Sequence, residues 1–208
     1  MKITFLRSKK ESRLFEKKIL IVGLGNPEER YSGTRHNLGF EILDKLVRKL
    51  NLVDWEKVDK FKSEIIKTPQ LLLAKPQTFM NKSGIAVNLI ANYYKASSES
   101  IVVIHDELDL PLGKIKVRLG GAAAGHHGVE SIISALGTDQ FIRVRLGIGN
   151  LKTQSAEKKA IHVSAEKFVL EPFLHSEKPQ VKHMQKLALK ALEILLEKGL
   201  EQAQNQFN

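Results

Sequence analysis

The stretch Ile19-Leu-Ile-Val-Gly-Leu-Gly-Asn-Pro27 indicates the fold class of the whole chain. It begins as a short apolar run that Gly and Pro end at once, a pattern typical of a strand buried on both faces in a parallel sheet. Ten residues after Asn26 the chain reaches His36. A helical period follows, with Leu43, Leu46, Val47 and Leu50 on one face. Because ligands of open α/β sheets collect outside the carboxyl ends of the strands, Asn26 and His36 are the first candidate site residues.

The rest of the chain alternates strands and helices. Further strands are predicted at residues 61–66, 71–74, 101–105, 114–119 and 141–146, the first two as a hairpin. Helices are predicted with Ala86, Leu89, Ile90 and Tyr93 on one face, around residues 132–133, and from residue 184 to 195, whereas residues 150–164 are predicted as a mobile, Lys-rich loop. This order predicts an α/β protein: over residues 18–208, a single domain with a mixed, mostly parallel twisted sheet and helices on both faces.

The Gly-rich turn after the first strand has two interpretations. Gly23-Leu-Gly25 resembles the start of a dinucleotide-binding G-x-G-x-x-G turn, but Glu28 stands at the third position and Pro27 lies inside the motif. Alternatively, Asn26 and His36 are presented as polar working groups. A purely structural explanation, in which Asn26 makes a turn and His36 caps a helix, also fits either residue taken alone.

Composition limits the function classes. The chain has 208 residues, with 33 Lys and Arg against 23 Asp and Glu, a formal charge of +10 that is consistent with a polyanionic partner. The absence of Cys excludes disulfides and thiolate nucleophiles, and fits a reducing cytoplasm. No apolar run approaches the ~20 residues that span a bilayer, so no membrane contact is expected. Residues 1–17 are predicted to be a disordered basic leader rather than a signal peptide.

Two predicted strands end on groups that suit hydrolysis. Asn26 and His36 follow the first strand, and Asp106 follows the strand at 101–105. If those strands are neighbours, the Asp106 carboxylate can orient the His36 imidazole as a general base. Because the chain has no Cys and no G-x-S-x-G elbow, the nucleophile that His36 would activate is water, and the substrate is an ester or amide. Whether Asn26 positions the water or stabilises the oxyanion stays open at this point.

The remaining histidines are weaker candidates. His126 and His127 are adjacent, so their side chains diverge, and no acidic partner lies at a familiar spacing; no metal is therefore expected. His105 lies inside an apolar strand and is predicted to be buried and hydrogen-bonded.

The motifs resemble those of the bacterial-type peptidyl-tRNA hydrolase family. The matching pieces are Val22-Gly-Leu-Gly-Asn-Pro27, Tyr31 with Thr34-Arg-His-Asn37, Lys75-Pro-Gln-Thr-Phe-Met-Asn-Lys-Ser-Gly84, His105-Asp-Glu-Leu-Asp-Leu-Pro111, Gly120-Gly121 with Gly125-His126, and Arg143-Val-Arg-Leu-Gly-Ile-Gly149. They run in family order over roughly residues 18–200.

The resemblance implies cleavage of the ester between a peptide and the 3′-terminal ribose of tRNA, by a monomer without metal or organic cofactor. It assigns catalysis to His36, Asp106 and Asn26. It assigns contacts with the acceptor end and the peptide to Tyr31, Met80, Asn81, His126 and His127. Basic contacts with tRNA phosphates fall on Lys116, Arg118 and Arg145, on strands whose alternating basic residues already suggest an exposed charged face.

Four features depart from the family pattern. Glu28 replaces a common Gly, residues 122–124 are Ala where Gly and His are usual, His127 replaces Asn, and the loop after Asn150 lacks His-Pro. These changes, with the extra leader, leave an alternative: a non-catalytic, RNA-binding relative that acts in splicing. The intact set of His36, Asp106, Asn26 and Asn81 favours the enzyme.

Overall fold

The computed structural model describes residues 18–149 and 161–208. The predicted leader, residues 1–17, and most of the predicted loop at 150–164 lie outside these ranges. Within them, no helix combines the length and the apolar character that crossing a membrane requires.

A seven-stranded mixed sheet forms the centre of the fold, with strand order β2-β3-β4-β1-β5-β7-β6. Strands β4, β1, β5 and β7 are mutually parallel, whereas β2, β3 and β6 are antiparallel to their neighbours. The strands are β1 (Ile19–Gly23), β2 (Glu56–Val58), β3 (Ser63–Lys67), β4 (Leu71–Pro76), β5 (Ile101–Pro111), β6 (Ile115–Leu119) and β7 (Ile142–Gly149). The predicted α/β class and the predicted β3–β4 hairpin are confirmed.

Helices cover both faces of the sheet, as predicted. They are α1 (Leu38–Leu50), α2 (Ser83–Tyr94), α3 (His127–Leu136), α4 (Ile161–Val169), α5 (Lys178–Lys198) and α6 (Leu200–Phe207). One apolar core lies beneath α1, α5 and α6, and a second lies beneath α2 and α3. Helix α1 ends where Asn51 adopts the left-handed conformation (φ 52°), which closes the last turn.

Close packing at the start of α1 brings the helix against the two central strands. Strand β1 pairs with β5 in parallel, with Gly23 opposite Ile104. Gly39, in the first turn of α1, lies so close to these strands that a Cβ there would collide with the Leu24 backbone and the Ile104 carbonyl. A side chain at position 39 would therefore push α1, and the residues just before it, away from the end of β5.

Three predicted details are wrong. The strand predicted to end at His105 continues to Pro111, with a register irregularity between Glu107 and Pro111. Helix α2 buries Ala86, Val87, Ile90 and Ala91, whereas Leu89 and Tyr93 of its predicted apolar face are 38% and 60% exposed. Helix α4 begins at Ile161, inside the predicted loop. Strand β5 is longer because β7 pairs with it as far as Pro111, and the face of α2 that carries Val87, Ile90 and Ala91 packs into the second core.

Candidate active site

His36 and Asp106 form a buried pair just beyond the end of β1, because Asp106 lies within β5 two residues past Ile104, where the pairing of β5 with β1 ends. Nδ1 of His36 lies 2.9 and 3.1 Å from the two carboxylate oxygens of Asp106. His36 sits in a 3-10 turn, Arg35–Asn37, that leads into α1. The turn is fixed by Arg35, which donates to the carbonyls of Glu171 and Pro172 and pairs with Glu177 at 2.7 Å.

This arrangement prepares the other ring nitrogen of His36 to accept a proton. Since a carboxylate only accepts, the neutral ring carries its proton on Nδ1 and has a lone pair on Nε2. No described residue bonds to that Nε2, and the ring lines a cavity of about 190 Å³. The geometry is therefore that of a general base oriented by an aspartate.

Asp106 remains charged because two imidazoles face it. Its side chain is only 1% exposed, and Nε2 of His126 lies 3.1 Å from Oδ1, the oxygen that also faces His36. Burial alone raises the pKa of the Asp106 carboxyl, but His36 and His126 more than offset burial and hold that pKa well below its usual range.

His105 is buried and hydrogen-bonded, as the sequence predicted. Its side chain is fully buried, its Nδ1 donates to the carbonyl of Asp106 at 2.7 Å, and its ring packs edge-on against His126 at 4.8 Å. Burial, followed by the proximity of His126, lowers the pKa of His105 well below the usual value. The ring therefore supports the backbone of Asp106 without adding charge to the site.

The potential metal-ligand atoms of His36, Asp106 and His126 lie within 4.8 Å of one another. The donor set argues against a metal site. A metal-bound histidine usually donates its second ring N–H to an acceptor. Nδ1 of His126 instead accepts from the backbone amides of Gly128 and Val129. The neutral ring must therefore carry its proton on Nε2, the atom that a metal would need.

The Asn26 side chain is held in one orientation. Its Oδ1 accepts from the Met80 amide at 2.9 Å, and its backbone N–H and C=O bond to the Asn37 carboxamide at 2.9 and 3.0 Å. This assigns Nδ2 as the free end of the amide, and no described residue accepts from it. Asn26 is thus presented as a hydrogen-bond donor.

Two cavities meet at the 3-10 turn. His36 lines the first together with Leu108, Ala124, His126, His127 and Glu166. Asn37, the next residue, lines a second cavity of about 230 Å³ with Asn26, Glu28 and Lys75. His36 and Asn26 line neighbouring cavities, and Asn37, which bonds to Asn26, directly follows His36 in the turn.

The other predicted substrate contacts are more scattered. Met80 is 5% exposed, and its amide bonds to Asn26. Asn81 follows it on an exposed 3-10 turn, and Tyr31 is half-buried. His127 opens α3 at the surface, with Nδ1 3.0 Å from Glu130 and Nε2 3.7 Å from Glu166 on α4. Only His127 of these four lines the cavity of His36.

The predicted basic face contains one ion pair that the sequence did not predict. Lys116 and Arg118 are exposed on β6, and Lys116 lies opposite Arg145 of β7. Nε of Arg145 donates to Oε2 of Glu107 at 2.9 Å, and the two side chains are 14% and 4% exposed. No described residue accepts from the Nη atoms of Arg145. Glu107 thus orients the guanidinium through Nε, while both Nη atoms have no acceptor among the described residues.

Arg143, on the same face of β7 by sequence, is a structural residue. It is 2% exposed and donates to the carbonyls of Ala122 and Gly120. Burial, with Arg145 and Arg118 nearby, lowers the pKa of Arg143. Its bonds hold the Gly- and Ala-rich loop that precedes His126.

Sequence reasoning missed three residues of this site. Asn37 ties Asn26 in place, Glu107 holds Arg145, and Glu166 approaches His127 from α4. Glu107 offered a signal, because an acidic residue beside Asp106 on a buried strand requires a cationic partner. Glu166 offered none, because the contact depends on how α4 packs against α3.

The chain matches one protein family along nearly all of its length. The family profile described as Peptidyl-tRNA hydrolase matches residues 20–208. The peptidyl-tRNA hydrolase of Thermodesulfovibrio yellowstonii is 39% identical over 193 residues, which cover 91% of this chain and 98% of that protein. That of Mycolicibacterium gilvum is 41% identical over 192 residues, covering 90% and 95%. The crystal structure of the Acinetobacter baumannii peptidyl-tRNA hydrolase matches with a TM-score of 0.80 at 31% identity, covering 92% of this chain and 94% of that one. The chain therefore belongs to the peptidyl-tRNA hydrolase family.

Proposed function

We propose that this protein hydrolyses the ester bond of peptidyl-tRNA, and of N-blocked aminoacyl-tRNA in general, with His36 as the general base. The observation that supports this most directly is the bond of His36 Nδ1 to buried Asp106, with the ring facing a cavity. Family membership supplies the substrate class.

In the proposed reaction, Nε2 of His36 takes a proton from a water molecule. The water oxygen attacks the ester carbonyl carbon, and the carbonyl oxygen becomes an oxyanion. When the tetrahedral intermediate collapses, the bond to the ribose oxygen breaks, and the imidazolium of His36 returns the proton to that oxygen. Asp106 orients the ring and stabilises the imidazolium, as in other acid–base pairs.

For Asn26 we propose a role as a donor to the oxyanion rather than as an acceptor for the attacking water. The support is the Met80 amide, which occupies Oδ1 and leaves Nδ2 without an acceptor among the described residues. Removal of a comparable donor in other hydrolases costs about 10²–10³-fold in rate. Tyr31, Met80, Asn81 and His127 remain proposed contacts to the acceptor end and the peptide.

The tRNA body is proposed to lie on Lys116, Arg118 and Arg145. Two of these are exposed cations on β6, and Glu107 orients the third by a bond to Nε alone. A guanidinium held in this way presents a planar pair of donors, which suits a phosphate.

We also propose that the enzyme works as a cytoplasmic monomer without a metal or organic cofactor, and that catalysis resides in residues 18–208. The absence of Cys agrees with a reducing compartment, and the donors around His126 disfavour a metal. The family profile begins at residue 20, which leaves the basic leader outside it.

The alternative, a non-catalytic RNA-binding relative, is less well supported. The relatives described above are named as hydrolases. A protein that only bound RNA would also have no need of a buried, oriented His36–Asp106 pair.

A turnover assay on N-acetyl-aminoacyl-tRNA tests the proposal. The wild-type protein should release the acyl amino acid, and His36→Ala should lower kcat by at least about 10²-fold while tRNA binding persists. His175→Ala, which changes an exposed histidine outside both cavities, is the matched control. Absence of turnover by the wild type with intact tRNA binding would favour the RNA-binding alternative, and near-normal turnover by His36→Ala would refute the assigned base.

A further inference from the structure

His126 stands between Asp106 and the start of α3, and the protein itself engages both of its ring nitrogens. Nε2 lies 3.1 Å from Oδ1 of Asp106. Nδ1 accepts from the amides of Gly128 and Val129, the second and third residues of α3, at 3.2 and 3.3 Å. A backbone amide can only donate, so the helix fixes the tautomer: Nδ1 carries no proton, and Nε2–H donates to the carboxylate.

We propose that His126 is a positioning residue that connects the amino terminus of α3 to Asp106, and through Asp106 to His36, rather than a group that contacts substrate. This inference rests on the proposed function, because it assigns His126 a part in orienting the base of that reaction. It replaces the peptide contact that the family resemblance suggested for this residue.

Two donors on one carboxylate restrict its rotation. Oδ1 of Asp106 faces His36 and His126 together, at 2.9 and 3.1 Å. With only one donor, the carboxylate could turn about its Cβ–Cγ bond and carry the His36 ring with it. The second donor therefore fixes the plane in which the base is held.

The amino terminus of α3 also fixes which ring nitrogen of His126 faces Asp106. A proton on Nδ1 would face two backbone N–H groups and the positive end of the helix dipole. The charged groups and imidazoles around the ring are Asp106 and His36 at the site and His105 behind it, with ring centroids 4.8 Å away in both imidazole pairs. His126 therefore acts on Asp106 through its Nε2–H, and Asp106 in turn holds His36.

Two substitutions separate the contacts that His126 makes through its two ring nitrogens. His126→Asn retains a side-chain oxygen that caps α3, since Asn is among the best capping residues, but it is too short to reach Asp106. His126→Gln extends an amide N–H toward Asp106 but cannot cap the helix in the same way. The first variant removes the bond to the carboxylate, and the second removes the bond to the helix.

The proposal predicts opposite behaviour for the two variants. His126→Asn should unfold within a few degrees of the wild type, lose about tenfold in kcat at unchanged KM, and shift the acid limb of its kcat/KM profile to higher pH, because Asp106 has lost a donor. His126→Gln should lose about 2–4 °C in Tm, the cost of a lost cap in a chain of this size, and keep kcat closer to the wild-type value. His183→Asn, on the exposed side of α5, should change none of these quantities.

A measurement on the wild-type protein tests the tautomer independently of turnover. The ¹⁵N spectrum of the histidine side chains, assigned with His126→Asn and His183→Asn, should show His126 protonated at Nε2 only. A proton on Nδ1 of His126 would overturn the proposal even in an active enzyme. So would a pH profile of His126→Asn that superimposes on that of the wild type. Failure of the proposed function would be seen separately, as absence of turnover by a wild type with the expected tautomer.

Discussion

Arg145 gives the most discriminating test of the basic face, because among the described residues its guanidinium bonds to Glu107 alone, through Nε. Arg145→Ala leaves Glu107 with a charge, 4% exposure and no cation at 2.9 Å. Breaking a buried ion pair by removing one partner costs about 3–5 kcal/mol. Because the Arg145 side chain is 14% exposed, we expect the lower end, about 3 kcal/mol, which corresponds to a loss of about 6–12 °C in Tm.

The same substitution should weaken tRNA binding by a separate route. Each phosphate contact steepens the slope of log K against log salt by about 0.7 on single strands and about 0.9 on duplex. Arg145→Ala should therefore flatten the slope by roughly one unit. Lys116→Ala should flatten it similarly, but with a change in stability below about 0.5 kcal/mol, because that side chain is exposed.

A double variant separates the two effects of Arg145. In Glu107→Gln/Arg145→Ala the buried charge is gone, while the Gln side-chain oxygen can still accept from the Asp109 amide that bonds Glu107 at 3.2 Å. Chemical denaturation should show that most of the lost stability returns, and filter binding across a salt series should show that the tRNA affinity does not. Equal stability of Arg145→Ala and the wild type would refute the ion-pair reasoning, and an unchanged salt slope would refute the phosphate contact.

Three further predictions concern single residues. Ala124 lines the His36 cavity at φ 51°, so Ala124→Gly should relieve left-handed strain and raise the free energy of unfolding by about 0.5 kcal/mol or more; a loss of stability in urea would contradict this. The pKa of His105 is lower in the folded than in the unfolded protein, so its stabilisation is complete above about pH 6.5 and is lost as pH falls, by up to about 1.4 kcal/mol per unit. His105→Asn should flatten this part of the curve, and an unchanged slope between pH 7.5 and 5 would exclude His105 as its source. His127→Asn restores the family residue and removes the imidazole that faces Glu130 and Glu166. Because these carboxylates would then repel an acidic substrate, the ratio of kcat/KM for N-acetyl-Glu-tRNA to that for N-acetyl-Gln-tRNA should fall, by several-fold at most. The same ratio in the variant and the wild type would assign His127 to structure.

The sequence by itself determined most of the central strands, the helix after His36 and the positions of the polar groups along the chain. The apolar run at Ile19 and the turn after it place Asn26 at a strand end, and the apolar periodicity after His36 requires a helix there. These are local consequences of chain geometry, since a buried strand and an amphipathic helix need particular residues at fixed spacings. For the same reason the alternation of β6 correctly predicted exposed Lys116 and Arg118.

Only the tertiary structure decided which of these groups bond to one another. Arg143 and Arg145 alternate in the same way along β7, yet one is bound to loop carbonyls and the other to Glu107. His126 could face substrate, metal or protein until the position of α3 fixed both of its ring nitrogens. A hydrogen bond or ion pair between residues far apart in the chain forms or fails when the distance between the two atoms changes by a few tenths of an ångström. Sequence spacing does not determine such distances, because they follow from how sheet and helices pack together.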